Sequence, residues 1–446
     1  MNVPLNDALS VFAAAQDAGQ ATALRLDDER FTFGQLADMA RARLRNLDLD
    51  VGDGAPFPVI GTNTLETLVT LYALLQARVP ALLLHPRQTD AERGAVLDAT
   101  RRAGRIGNAD AAAVIYTSGT TGAPRGAVLT RAALLASAQA SAANLGWQSD
   151  DCWPLAMPLA RVGGLSIVTR CLAARRSVAL VSAFDARLLP QWVEQQRATL
   201  VSLVPTMLAQ CLDAHPDWKP PPFLRAILLG GAAASARLLQ RAADRRLPIV
   251  ITYGCTETCS QVAATPYALR YEAARHGAGR PLAGAQVRVA GGRIEVRGPM
   301  LMAGYLGKPA LDPQAWFDTG DLGEIDAGGC LHVHARRADL IVSGGENVYP
   351  AEVERALEGC AGVVSAGVFG VPDETWGQIV AAALVVDAVP PTDQALVDHI
   401  GVHLAAYKRP RRVCFVEALP QTAAGKLDRT GLASMTGALR TLPTSR

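Results

Sequence analysis

Residues 111–130 read AAAVIYTSGTTGAPRGAVLT, and the reading of this stretch decides the fold. The apolar run 111–116 predicts a buried strand. Thr117, Ser118, Gly119, Thr120, Thr121 and Gly122 follow, all small and mostly hydroxylated. Pro124, Arg125 and Gly126 close the turn, and 127–129 resume an extended apolar pattern. Glycines in such a loop let backbone N–H groups turn inward and line a concave anion site. The hydroxyls add neutral donors, and Arg125 adds a fixed positive charge with forked geometry. That donor set suits a polyphosphate. It is not a Walker A loop, because no GxxxxGK[ST] register fits and a strand rather than a helix is expected next. Taken alone, the string also reads as an ordinary Ser/Thr/Gly surface loop.

Working outward, strands and helices alternate on both sides of the loop. Residues 31–33 and 35–47 read as strand then helix, 65–76 as helix and 80–84 as strand. Thr130 is placed to cap a helix through Leu145. Further strands are predicted over 177–181, 200–204, 226–229 and 249–253, with helices over 163–173, 186–196 and 238–245. This alternation is the signature of a doubly wound α/β fold, whose ligands sit beyond the carboxyl ends of the strands. Candidate sites at Thr117, Gly230 and Gly254 each follow a predicted strand. Short alternating strands with Gly-Gly turns over 285–296 and 330–334 predict a small β subdomain. From about residue 337 a separate α+β domain is expected, with helices over 350–357 and 395–405 and strands over 363–371, 379–386 and 413–416. The expected division is 1–336 for the large N-terminal domain and 337–446 for a small, mobile C-terminal lid domain.

Composition narrows the class. The 446 residues exceed one ordinary core. A net charge of +2 gives no reason to expect nucleic acid or an acidic tail. Cys255 and Cys259 are spaced CxxxC, a poor metal pattern, and the eight scattered cysteines read as reduced thiols of a cytoplasmic protein. No signal peptide and no membrane span are expected.

Four further strings carry chemistry. In Tyr253-Gly254-Cys255-Thr256-Glu257 the aromatic can stack on a nucleobase, Gly254 allows close approach and Glu257 can hold a hard cation through oxygen. Thr319-Gly320-Asp321-Leu322 reads as a turn bearing one acid, which offers paired acceptors. Gly230, Gly231 and Ala232 are small enough for close backbone approach to a ligand. Lys426 stands in Pro420-Gln421-Thr422-Ala423-Ala424-Gly425-Lys426, where a solvated surface charge is the plain alternative.

Together these strings resemble the signatures of the adenylate-forming superfamily, which includes acyl- and aryl-CoA synthetases, stand-alone adenylation domains and luciferases. The resemblance implies ATP, Mg2+ and coenzyme A as co-substrates and cofactor. It implies Tyr253 beside adenine, Thr256 on phosphate, Glu257 on Mg2+, Asp321 and Arg336 on the ribose, and Lys426 as the catalytic lysine. Gly345, in Ser343-Gly344-Gly345-Glu346-Asn347, is implied in the thiol half-reaction. Arg125 stands where the family usually has Lys, and Ala338 where a hinge residue, often Asp or Lys, is usual.

The acid is expected between 158–165 and 253–261, with Gly163 and Ser260 lining its pocket. Arg161 replaces a common His, and no carboxylate is present for a substrate amine, so an amine-free acid is expected. The strings SLVPTML, LLGGAA and TETCSQ resemble the o-succinylbenzoate–CoA ligases of menaquinone biosynthesis. That substrate has a second carboxylate, for which Arg161 or Arg170 is a bidentate candidate. Arg170 also reads as an arginine whose stem covers apolar surface while its head stays in water. An aryl- or fatty-acid ligase, a carrier-protein acceptor, a homodimer and a nucleotide sensor without turnover stay open at this point.

Overall fold

The computed structural model describes residues 7–47, 49, 54–88, 90–118, 124–181, 183–336, 339–343, 346–373, 376–404, 406–422 and 427–443. The stretch that opened the reading forms two antiparallel strands, Ala111–Ser118 and Pro124–Thr130. They belong to a five-stranded sheet in the order Gly304–Tyr305, Pro124–Thr130, Ala111–Ser118, Ala81–Leu84, Phe57–Ile60. The last three are parallel. Residues 111–115 are all buried, as a strand covered on both faces requires.

Two more sheets complete the α/β part. One runs Glu29–Thr32, Thr22–Leu26, Ser177–Leu180, Cys152–Leu155. The other runs Arg280–Pro281, Ser260–Ala264, Ile249–Cys255, Ala226–Leu229, Leu200–Leu203. Each has a parallel core with antiparallel pairing at one edge. The expected alternation of strand and helix is therefore present, with antiparallel edges added to it.

Local chemistry sets the helix starts. Thr130 Oγ1 accepts from the Ala133 N–H at 3.1 Å and opens the helix Arg131–Leu145, as predicted. Thr32 and Gln35 form a reciprocal capping box, so the second helix begins at Phe33, two residues before the reading placed it. Such a cap is worth about 1 kcal/mol. The helix Leu65–Ala77 is buried almost all round; each of its buried leucines contributes about 2 kcal/mol. Pro190 at the first turn shortens the predicted 186–196 helix to Leu189–Gln195. Helices Asp90–Ala103 and Pro205–Ala214 were not predicted.

The predicted β subdomain is a sheet ordered Gln286–Ala290, Arg293–Arg297, Phe317–Ile325, Leu331–Arg336. Thr319–Leu322 lies inside its Phe317–Ile325 strand and is not a surface turn, because the backbone carries on through Gly320 at φ +77°. The C-terminal strands form their own sheet, in which Val363–Asp373 pairs with Gly377–Val386. That sheet packs with helices Pro350–Glu358 and Asp393–His403 around a core including Val353, Leu357, Val368, Leu384 and Ile400. No helix is long and apolar enough to cross a membrane among the described residues.

Candidate active site

Three sheet ends meet at the site. Thr117 lies near the end of the Ala111–Ser118 strand, inside it and not beyond it. Its hydroxyl reaches Glu257 Oε1 at 3.4 Å across 140 residues of sequence. The phosphate-loop strand and the YGCTE string are thus neighbours, as the reading required. Arg125 begins the return path: its Nε is buried without a hydrogen-bond partner among the described residues. Its guanidinium lies over the Tyr305 ring at 4.3 Å from the centroid. Gly119, Thr120, Thr121 and Gly122 lie outside the described residues, as does the side chain of Ser118.

Glu257 sits in a single 3-10 turn, Thr256–Thr258, joining the strands Ile249–Cys255 and Ser260–Ala264. The hairpin is tight enough to demand glycine: a Cβ on Gly254 would stand 1.6 Å from the Ser260 oxygen. Cys259 and Ser260 both take positive φ, 48° and 96°, to close it. The Thr258 hydroxyl donates within the turn, to the Cys255 oxygen at 3.0 Å and the Ser260 oxygen at 2.9 Å. Thr256 stands at the start of the turn, half-buried beside Glu257. Burial first, and the Glu257 charge second, push the Cys255 thiol far up, so it is a protonated neighbour and not a nucleophile.

Tyr253 joins the second sheet to the β subdomain. Its hydroxyl donates to Asp321 Oδ2 at 2.8 Å and meets Thr319 Oγ1 at 3.0 Å. Asp321 is only 9% exposed, and in the strand register it stands opposite Arg336. The two residues assigned to one ribose are therefore cross-strand partners; the Arg336 side chain lies outside what is described. Burial and the Asp321 charge keep the Tyr253 phenol protonated at all ordinary pH. Gly230 directly follows the Ala226–Leu229 strand, where a Cβ would stand 2.3 Å from Thr252 Oγ1. Gly231 follows at φ +82°, and Gly231 and Ala232 are exposed. Lys426, Gly345 and Ala338 lie outside the described residues.

Two elements expected to line the acid pocket lie against each other. The helix Val162–Ala174 touches the strand Ser260–Ala264. Its first turn is fixed by close packing: a Cβ on Gly164 would stand 2.3 Å from the Pro158 oxygen, and one on Gly61 within 2.8 Å of Ala160. Gly163 is in that turn, where a Cβ would meet only the Met157 methyl at 3.2 Å. Arg161 is the N-cap residue without a side-chain capping bond, and its Nε is buried and unpartnered among the described residues. Arg170 is 2% exposed, near the Trp153 ring at 5.8 Å. Its Nε and Nη2 are both buried without partners among the described residues. This overturns the reading of Arg170 as an arginine with its head in water. Burial lowers its pKa to about 10, which still leaves a full positive charge at neutral pH.

The reading missed two residues here. Tyr305 touches both Arg125 and Glu257, and its only signal was an aromatic between Gly304 and Gly307. His85 follows the Ala81–Leu84 strand and is buried with Nε2 unpartnered among the described residues. Burial first, then the nearby Arg161 charge, lower its pKa to about 4, so it is neutral.

Against this geometry, the comparisons with known proteins are direct. The model of the AMP-binding enzyme family matches residues 99–306, and that of the AMP-binding enzyme C-terminal domain matches 352–426. The chain belongs to the adenylate-forming, AMP-binding enzyme family. A 2-succinylbenzoate–CoA ligase of Bacillus licheniformis is 36% identical, over 90% of this chain and 94% of its own length. Solved structures of o-succinylbenzoate CoA synthetase from Bacillus subtilis also resemble this AMP-binding enzyme. The complex with the acyl-adenylate intermediate OSB-AMP has a TM-score of 0.83 at 30% identity, covering 96% of this chain and 98% of that one. The complex with ATP and magnesium ion has the same score and identity, with 96% and 99% covered. The expected family, fold class and ligase activity are borne out together.

Proposed function

We propose that this adenylate-forming enzyme joins o-succinylbenzoate to coenzyme A in two half-reactions. In the first, a carboxylate oxygen attacks the α-phosphorus of ATP and pyrophosphate leaves, giving an acyl-adenylate. In the second, the thiol of CoA attacks the acyl carbon and AMP leaves. The observation that carries the reading is the approach of Thr117 to Glu257, which sets the phosphate-binding strand against the carboxylate turn. The names of the relatives supply the acid.

The chemistry is one of charge. Two unit charges ~4 Å apart at an effective dielectric of ~20 repel by about 4 kcal/mol. A carboxylate approaching a triphosphate meets several such repulsions at once. Arg125 and Lys426 are the cations this reading assigns to offset them, with hydroxyls of Thr117, Ser118, Thr120, Thr121 and Thr256 as neutral donors. Glycines 119 and 122 open the loop backbone to phosphate. Tyr253 and Gly254 flank the adenine with Gly230, Gly231 and Ala232, and Asp321 and Arg336 take the ribose.

Mg2+ fits the residues present. Among the described residues no three His, Cys, Asp or Glu gather. One carboxylate, Glu257, beside hydroxyls is what an ion held mainly by phosphates and water requires. When bound, Mg2+ supplies charge neutralisation on the polyphosphate. Glu257 would hold it through its carboxylate, and the reading assigns no covalent nucleophile.

For the acid, buried Arg170, whose Nε and Nη2 have no partner among the described residues, is the stronger candidate for the second carboxylate. Arg161, Gly163 and Ser260 are assigned to the same pocket. The division at Arg336 is supported by separate sheets on either side, and the C-terminal part is read as a lid that carries Lys426 and, at Gly345, the thiol path. Free CoA is the acceptor in this reading. The cytoplasm is the place of action, consistent with eight free cysteines.

The test separates the half-reactions. Lys426→Ala slows acid-dependent ATP–pyrophosphate exchange by about 10²–10³ and leaves thioester formation from preformed acyl-adenylate nearly intact. Equal loss in both half-reactions contradicts the role of Lys426. Absence of any acid-dependent AMP release, with o-succinylbenzoate and a panel of benzoates and fatty acids, contradicts the ligase.

A further inference from the structure

Arg125 and Glu257 have opposite charges and face the same aromatic side chain, yet no ion pair between them occurs among the described residues. Tyr305 stands at both. Its hydroxyl donates to Glu257 Oε1 at 2.9 Å, and its ring lies under the Arg125 guanidinium, 4.3 Å from ring centroid to Cζ.

The backbone leaves Tyr305 little choice of position. The strand Gly304–Tyr305 pairs antiparallel with Pro124–Thr130, with Tyr305 opposite Ala127. Leu306 N–H donates to the Gly126 oxygen at 2.7 Å, and Ala303 N–H to the Val128 oxygen at 2.9 Å. Gly304 takes φ +141°, and a Cβ there would stand 3.0 Å from the Pro309 oxygen. The same segment holds the carboxylate turn, because Met302 N–H donates to the Glu257 oxygen at 2.8 Å. One short stretch, 302–306, therefore fixes the arm that carries Arg125 and the turn that carries Glu257.

We propose that Tyr305 is a positioning residue that keeps Arg125 and Glu257 apart, reserving the guanidinium for phosphate and the carboxylate for the divalent cation. A cation and a carboxylate in one half-buried site would otherwise pair with each other and neutralise both. The phenol ring occupies the guanidinium's flat face, and the phenol hydroxyl occupies one carboxylate oxygen. A planar guanidinium stacks on a ring where an ammonium makes only a point contact. That accounts for an arginine at this position. Arg125 Nε, buried and unpartnered among the described residues, is a donor left for the phosphate. The inference rests on the reading of Glu257 as the cation-holding carboxylate.

The experiment measures Mn2+ binding to the protein–ATP complex by electron paramagnetic resonance, alongside KM for MgATP and for the acid. Tyr305→Phe keeps the ring and removes the donor to a charged group; it weakens Mn2+ binding about tenfold and leaves KM for the acid unchanged. In a Glu257→Gln background the same change adds nothing, because the two residues act through one contact. Tyr305→Leu removes ring and hydroxyl, so Arg125 and Glu257 pair directly. KM for MgATP then rises beyond that of the Phe variant, and adding Glu257→Gln lowers the melting temperature of the Leu variant. If Tyr305→Phe leaves Mn2+ affinity unchanged, or its effect adds fully to that of Glu257→Gln, the role of Tyr305 is wrong. If Glu257→Gln itself leaves Mn2+ affinity unchanged, the assignment of Glu257 falls instead. The Leu variant decides the spacer role if the Phe variant folds poorly: no drop in melting temperature on adding Glu257→Gln overturns it.

Discussion

Two buried arginines, Arg225 and Arg170, solve the same problem in opposite ways. Arg225 is 7% exposed and finds every acceptor inside the chain. Its Nε donates to Asp151 Oδ1 at 2.8 Å, and its Nη2 donates to the other carboxylate oxygen. The Leu145 oxygen at 2.9 Å and the Gly146 oxygen at 2.6 Å take the remaining directions. Asp151 is itself satisfied, by Thr199 Oγ1 at 2.6 Å and the Gln148 N–H at 2.8 Å. Burial pulls the Arg225 pKa down, but the Asp151 hydrogen bonds and charge outweigh it and leave it raised. Arg170 is buried more deeply, and its Nε and Nη2 find no partner among the described residues; burial lowers its pKa, with only Cys171 acting the other way. A fixed charge taken out of water costs several kcal/mol unless it is paired. Arg225 is paired by the fold. Arg170 is the one proposed to meet the second carboxylate of the acid.

The comparison is sharpened by removing each charge. Arg225→Met leaves Asp151 buried without its cation and costs about 3–5 kcal/mol of stability, read by denaturant unfolding, while KM for every substrate stays as it was. Arg170→Met does the reverse. It removes an uncompensated charge, so the midpoint of unfolding holds or rises. At the same time kcat/KM for o-succinylbenzoate falls about a hundredfold, the loss of one charged partner to a buried carboxylate. If both variants lose stability alike, the two arginines are of one kind and the comparison breaks.

A third ionisable group shows what happens when a side chain can lose its charge by holding a proton. Glu358 is partly buried; burial raises its pKa to about 7, helped by Glu354 and opposed by the Ala366 N–H, Arg237 and Arg355. Between about pH 4.5 and 7 the folded chain therefore holds a proton that the unfolded chain has lost, and stability falls as pH rises through that window. Glu358→Gln removes this dependence, a difference of about 3 kcal/mol at pH 8 relative to pH 4. An unchanged pH profile of unfolding would show that water reaches the carboxyl. A smaller effect is expected at Tyr253: Tyr253→Phe removes one hydrogen-bond donor to Asp321 and changes KM for ATP by a few-fold, with stability lowered by about 1 kcal/mol.

Much of this was legible in the residue order, for identifiable reasons. The strands around Thr117 were readable because a strand buried on both faces is a continuous apolar run, and Thr130 marked the next helix by capping chemistry. The loop and the four further strings announced themselves through their glycines, hydroxyls and charged residues. What was not legible is what depends on contacts between distant segments. Asp321 was read as part of a turn because a Gly-Asp pair suggests one; cross-strand pairing with Arg336 makes it a strand residue. Helix Asp90–Ala103 was overlooked because it is mostly polar, and Pro205–Ala214 although Pro205 at its first turn was a usable signal. Nothing local distinguishes Arg170 from Arg225; only the fold decides which of them meets an aspartate.

The most direct test is ATP–pyrophosphate exchange with two acids, o-succinylbenzoate and 4-oxo-4-phenylbutanoate, which lacks only the ring carboxylate. The wild-type enzyme exchanges far faster with the diacid, and Arg170→Met brings the two rates together by slowing the diacid alone. Equal rates in the wild type, or a preference that survives the loss of Arg170, would contradict the account.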